Sequence, residues 1–161
     1  MVLNDEDLTH IHKHAVKDYP YECCGIVIGP SRSQIGTNKV YECTNIQNRL
    51  HKEDPQRYPR DARTAYNIDP EEQRRIFRLV EEKGWKIKAF YHSHPDHTAY
   101  FSEKDERMAM WGDEPIYPEA VYIVVSVIKG EIKETIAFKW DEDEKEFKIS
   151  GLPEIVWRKG G

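Results

Sequence analysis

The sequence predicts one layered α/β domain built on a mixed sheet, and three observations predict it. Two capped stretches carry apolar residues at helical spacing, short apolar or alternating runs suited to strands lie between and after them, and Lys129-Gly130 joins two such runs as a hairpin. At 161 residues the chain is the size of a single domain, 1–161, long enough to bury a core without disulfides or a structural metal.

The elements follow in order. Asn4 is placed as an N-cap ahead of Asp5, Glu6 and Asp7, where negative charge suits the positive end of a helix. Leu8, Ile11 and Ala15 supply its apolar stripe, and Tyr19-Pro20 ends it. The apolar run between Glu22 and Pro30 reads as a buried strand, and Val40 to Cys43 as a second, shorter one. Residues 45–68 are polar and lack periodicity, which marks a long functional or mobile loop. Asp69-Pro70-Glu71-Glu72 is a strong helix start, with Ile76, Leu79 and Val80 buried and Gly84 as the stop.

WKIKAFYH alternates as a strand should, with Trp85, Ile87, Ala89 and Tyr91 on one face and His92 and His94 on the other. Ser102 opens a third helix through Met110 or Trp111. Residues 120–128, AVYIVVSVI, form the most apolar run and a central strand, and residues 131–140 alternate on the far side of the hairpin. The acidic DEDEKE segment is a solvated turn, and two short strand-like pieces follow it.

The charge balance excludes some partners. A net charge of -5 gives no polyanion-binding signature, so neither nucleic acid nor an anionic membrane is expected. No apolar run approaches the roughly 18 residues needed to span a bilayer, and the acidic N-terminus is unlike a signal peptide, so the expected location is cytoplasmic. Three cysteines, two of them adjacent, make a poor disulfide framework and contain no C-x-x-C pair; they read as small buried apolar side chains.

Chemistry concentrates in residues 91–105, YHSHPDHTAYFSEKD. His92 and His94, two apart at a strand end, project from one side and can offer two imidazoles to one metal, with Asp105 the obvious third ligand. Two histidines and one carboxylate leave a coordination position open, as in a catalytic zinc site. Against this, Ser102-x-x-Asp105 also resembles a capping box, and His-Ser-His at a strand end is compatible with plain surface. Taken alone, H-x-H leaves both readings open.

His92-Ser93-His94-Pro95 followed by Ser102-x-x-Asp105 resembles the JAMM motif of the MPN+ metalloproteases, H-[ST]-H-P-x6-S-x-x-D, with every position filled. Glu22 in YPYECCGIVIG looks like the upstream glutamate of the compact bacterial and archaeal members, and the resemblance runs from Asp5 to about Trp140. It implies an MPN domain, a cytidine deaminase-like three-layer α/β fold with a mixed sheet flanked by helices. It also implies one catalytic Zn²⁺ per chain, held by His92, His94 and Asp105, with Glu22 as general base and proton carrier and Ser102 donating to the oxyanion. With Asp105 on the metal, it is not free to close a reciprocal cap. The implied activity is hydrolysis of an amide or isopeptide bond at the C-terminal Gly-Gly of a small ubiquitin-like or sulfur-carrier protein. A non-haem Fe(II) oxygenase, which also uses two histidines and a carboxylate, and a non-catalytic MPN scaffold are the alternatives.

Other residues read more plainly. On a helix His10 and His14 fall on one polar face and His12 elsewhere, so a solvated surface is expected rather than three-way ligation of a metal. His97 is expected in a loop, and Tyr100 and Phe101 in the core rather than along a cleft. Arg49, Lys52, Arg57, Arg60 and Arg63 make residues 45–68 locally basic, a solvated loop or a clamp for an acidic or extended partner. Gly160-Gly161 reads as a frayed terminus, with docking into its own or a sister molecule's cleft as the alternative.

Overall fold

A computed structural model describes residues 3–31 and 34–150 of the chain. The terminal Gly160-Gly161 therefore lies outside the described residues. Helix α1 spans Asp5–Asp18, with Asn4 and Asp7 closing a reciprocal capping box at 2.9 and 3.0 Å. Strands β1 (Cys24–Gly29) and β2 (Lys39–Cys43) follow, then helix α2 (Gln47–Glu53) and helix α3 (Pro70–Lys83). Strand β3 (Lys86–Pro95) leads into helix α4 (Glu103–Met108). A two-stranded ribbon comes next, β4 (Met110–Trp111) with β5 (Glu114–Pro115), and β6 (Val121–Ile128), β7 (Glu131–Asp141) and β8 (Glu146–Ile149) complete the order.

Six strands form one mixed sheet in the order β2-β1-β3-β6-β7-β8, in which β3 and β6 run parallel and every other pair is antiparallel. Both faces are covered, which is why β1 is buried along its whole length and reads as a continuous apolar run rather than an alternating one. On one face, Ile11 and Ala15 of α1 meet Val27, Ala89, Tyr91, Ile123 and Val125. On the other, Ile76 of α3 meets Cys24, Ile26, Ile28 and Cys43, with Phe77, Val80 and Phe90 packed around them. The result is the helix, sheet, helix layering expected from the sequence.

Several expectations need correcting. The polar stretch 45–68 is no plain loop: it holds α2 and is organised by side-chain amides that bond its own backbone. The helix opened by Ser102 stops at Met108, since residues 110–111 turn into β4. The alternation predicted for Trp85 to Tyr91 breaks at a bulge, where Val27 pairs with Ala89 but Ile28 pairs with Ile87. Trp85 and Ile87 consequently pack on the α3 side while Ala89 and Tyr91 face α1. His12 and His14 are not solvated: His12 Nε2 lies 2.7 Å from Thr135 Oγ1, and His14 Nδ1 lies 2.7 Å from the Tyr91 hydroxyl. Helical spacing put His14 on a polar face with His10, and His12 elsewhere, but both His12 and His14 pack against the sheet, where hydroxyl partners satisfy the imidazoles.

All three cysteines are free, buried thiols, as expected from their number and spacing. Among the described residues no helix is long and apolar enough to cross a membrane.

Candidate metal centre

The site is assembled where the parallel pair β3 and β6 ends. Glu22 stands two residues ahead of β1, and Cys24 is the register partner of His92, so the strand pairing alone brings the glutamate beside the histidines. Ser93 strengthens that junction: its N–H donates to the Cys23 carbonyl at 3.1 Å and its hydroxyl accepts the Cys23 N–H at 2.8 Å. The backbone of Glu22 is held from a third direction. Its N–H donates to the Ala62 carbonyl at 2.7 Å, and its carbonyl accepts from the Asn45 side-chain amide at 2.9 Å.

Glu22, His92 and His94 each direct a ligand atom into a space where those atoms lie within 4.8 Å of one another, and all three are buried. His92 Nε2 is 3.1 Å from His94 Nε2 and 3.4 Å from Asp105 Oδ2. Ligand atoms around a tetrahedral zinc with bonds near 2.0–2.1 Å are about 3.3 Å apart, so these donors have the spacing and the chemistry for such an ion. The three residues expected as ligands are thus brought together around His92, and Glu22 adds a fourth donor.

The surroundings prepare the imidazoles. His94 Nδ1 lies 2.8 Å from the Thr98 carbonyl, to which it donates its proton, leaving Nε2 with a lone pair aimed at the centre. Burial, then the neighbouring His92, lowers the His94 pKa to about 4, so the ring is neutral at pH 7 as a ligand must be. The loop that offers the Thr98 carbonyl is pinned from β6 and β7: Ser126 Oγ donates to the His97 carbonyl at 2.5 Å, and the Ala99 N–H donates to Glu134 Oε1 at 2.9 Å. His92 is stacked on Tyr66, with ring centroids 4.6 Å apart. Tyr66 gave no sign in the sequence, because nothing in its neighbourhood reveals a ring stacked across the fold.

Asp105 also closes the cap of α4, contrary to the expectation that a ligand role would prevent it. Its N–H donates to Ser102 Oγ at 3.0 Å, and its Oδ2 accepts the Ser102 N–H at 3.0 Å while facing His92. The reason is lone-pair capacity: a carboxylate oxygen has more than one acceptor direction, so one N–H does not exhaust it. The two carboxylates differ electrostatically. Burial works to raise Asp105, but bonding to His92 and to Ser102 outweighs it and holds the group at about 2. Burial, then repulsion from Asp105, pushes Glu22 up to about 9, with Lys104 and Arg60 pulling the other way. One carboxylate is held ionised and the other readily holds a proton, the division of labour that acid-base chemistry needs.

A cleft of about 690 Å³ opens onto this centre, lined by Glu22, His94, Ser102 and Asp105 together with the cations Arg60 and Lys104. Tyr100 is half exposed and also lines the cleft, against the core packing expected for it, while Phe101 lines it but stacks on Phe138. His97 is exposed at the rim, in the loop where it was expected.

Residues 5–141 match the family of prokaryotic homologues of the JAB domain. Over 122 residues the chain is 30% identical to a desampylase of Haloferax volcanii, a match covering 76% of this chain and 74% of that protein. It is 29% identical over 113 residues to the CysO-cysteine peptidase of Mycobacterium tuberculosis, covering 70% of this chain but only 64% of that relative, less than two thirds of its length. Solution structures of proteins from Desulfitobacterium hafniense and Salinibacter ruber share the fold, with TM-scores of 0.62 and 0.56 at 20% and 24% identity. Each covers 91% of this chain, and the matches take in 87% and 86% of those proteins.

Proposed function

The chain belongs to the prokaryotic homologues of the JAB domain and is a hydrolase of the JAMM type, and we propose that it acts as a zinc-dependent peptidase on a small protein partner. The bond cut is the amide or isopeptide bond after the C-terminal Gly-Gly of a ubiquitin-like or sulfur-carrier protein. The observation that carries this reading is the buried cluster in which two imidazole nitrogens 3.1 Å apart face Asp105 and Glu22 at the floor of one cleft. The names of the desampylase and the CysO-cysteine peptidase support the choice of substrate class.

His92, His94 and Asp105 would hold the ion. When bound, zinc supplies Lewis acidity, polarising the scissile carbonyl and acidifying water near neutral pH. The protein's own residues do the rest. Glu22, set beside the two imidazoles, takes a proton from the attacking water and delivers it to the leaving amine. Ser102 Oγ accepts the Asp105 N–H, so its own O–H hydrogen is free to donate to the oxyanion.

The test is metal analysis combined with cleavage of a carrier protein extended beyond Gly-Gly. Wild type should contain zinc and release the extension, and Glu22→Gln should retain the metal yet lose the activity by about a hundredfold or more. An inactive wild type, or full activity in Glu22→Gln, refutes the mechanism.

A further inference from the structure

A second set of ligating side chains converges on the face of the sheet that carries α1, away from the cleft. His10 and His14 stand one turn apart on α1, where side chains four residues apart are neighbours, about 5–6 Å between Cβ atoms. Glu42 of β2 comes up between them. One carboxylate oxygen lies 3.2 Å from His10 Nε2, and the other 3.6 Å from His14 Nε2. Asp18, a further turn along α1, brings an oxygen to 3.1 Å from the same His14 nitrogen. His10, His14 and Glu42 line a pocket of about 540 Å³ that the proposed chemistry does not use.

The sheet explains the convergence. Glu42, Gly25 and Tyr91 form one row of register partners across β2, β1 and β3. Gly25 has no side chain and leaves space for the Tyr91 ring, whose hydroxyl lies 2.7 Å from His14 Nδ1. That contact fixes the buried His14 ring with Nε2 turned to the carboxylates, as a partner on the other nitrogen orients a ligating imidazole. The His10 side chain is 42% exposed, so it can turn toward an ion held by His14 and Glu42.

The charges favour a cation. Asp5, Glu6, Asp18 and Glu42 gather at or beside the pocket against only the two ammonium groups of Lys13 and Lys17. A neutral imidazole carries one N–H, so His14 offers at most one to Asp18 and Glu42 together. Lys17 bonds Glu42 from an exposed side chain. An exposed pair contributes little, so an ion that gains two imidazoles and a carboxylate can displace it. That donor set suits Zn²⁺ or Ni²⁺ rather than Mg²⁺ or Ca²⁺.

We infer that His10, His14 and Glu42 form a second transition-metal site, with Asp18 as a further donor beside His14. The ion takes the place of the Lys17 ammonium and ties α1 to the edge strand β2. Because a cation must be displaced first, this site is the weaker of the two and fills only when metal is in excess of the first centre.

The probe is the metal alone. Wild type already given one equivalent of Zn²⁺ is titrated with more Zn²⁺, and separately with Ni²⁺, by calorimetry, with the melting temperature followed in parallel. One further ion per chain should bind and raise the Tm. His10→Gln and Glu42→Gln should each weaken that ion by about tenfold or more while leaving the first ion and the hydrolase activity unchanged. Lys17→Gln should tighten it by up to about fivefold, because the competing ammonium is gone. If no bound ion responds to His10→Gln and Glu42→Gln, or if Lys17→Gln weakens the ion they remove, the site is overturned.

Discussion

His94 and Thr98 are joined by a 2.8 Å contact in which the ring Nδ1–H meets a backbone carbonyl four residues downstream, so a short loop sets the tautomer of a proposed ligand. That loop is held in turn by Ser126 and Glu134, which are cross-strand neighbours on β6 and β7. Ser126→Ala or Glu134→Gln should weaken zinc binding by about tenfold, the usual effect of removing the group that orients a ligand. Competition against a chromophoric chelator measures this directly. Unchanged affinity in both variants would separate the loop from the metal.

Metal removal should cost stability as well as activity. Zinc held at a hundred times its Kd stabilises the folded state by about 2.7 kcal/mol if the unfolded chain does not bind it. For a domain of this size, that is a shift in Tm of several degrees. Thermal melts with chelator and with added zinc should differ accordingly, and coincident melts would argue against a site of that affinity.

The close approach of β1 to β3 makes Gly25 irreplaceable. A Cβ built there would lie 2.2 Å from the ring of Tyr91, which is fully buried and has nowhere to move. Gly25→Ala should therefore destabilise by about 1–3 kcal/mol through overpacking, read as a lower urea midpoint at constant slope.

Tyr91 matters at its other end too, because its hydroxyl is the partner of His14 Nδ1. Tyr91→Phe leaves that buried nitrogen without its partner and should cost about 1–3 kcal/mol. Zinc content should be unaffected, since Tyr91 faces the α1 side of the sheet and His92 the other.

Acid should destabilise the fold early. His12 is lowered by burial; His14 is lowered by burial, partly offset by Asp18 and Glu42. Both lie below the ordinary value of 6.5. Below that pH the unfolded chain takes up protons that the native histidines refuse. Stability is therefore at its full value above 6.5 and falls as pH drops toward the folded pKa values. Urea midpoints from about pH 7 to 5 should decline for wild type and decline less for His12→Gln.

How much of this was visible in the chain depends on the range of the signal. The Asn4 and Asp69 caps, the Gly84 stop and the His-x-His spacing are local, and each fell where local chemistry put it. The break in alternation at residue 88 was hidden because a bulge is set by the partner strand, β1, and not by β3 itself. The burial of His12 and His14 was hidden for a similar reason, since Thr135 and Tyr91 are far away in sequence. Glu22 was reachable only through the family pattern, because nothing in its own neighbourhood sets it apart from the many other glutamates. The ordered middle segment was missed because amide side chains, not apolar periodicity, organise it. Asn45 alone bonds Glu22, Gln47, Ala65 and Asn67.

Those amide bonds have a consequence for how the molecule can vary. The wall of the cleft and the proposed base are one mechanical part, because Asn45 and Ala62 grip the two backbone polar groups of Glu22. A change of length or sequence in residues 45–68 that reshapes what the cleft admits will also re-aim Glu22. Under the proposed function, partner choice and turnover would be coupled through this segment, and a redesign of one would carry the other with it.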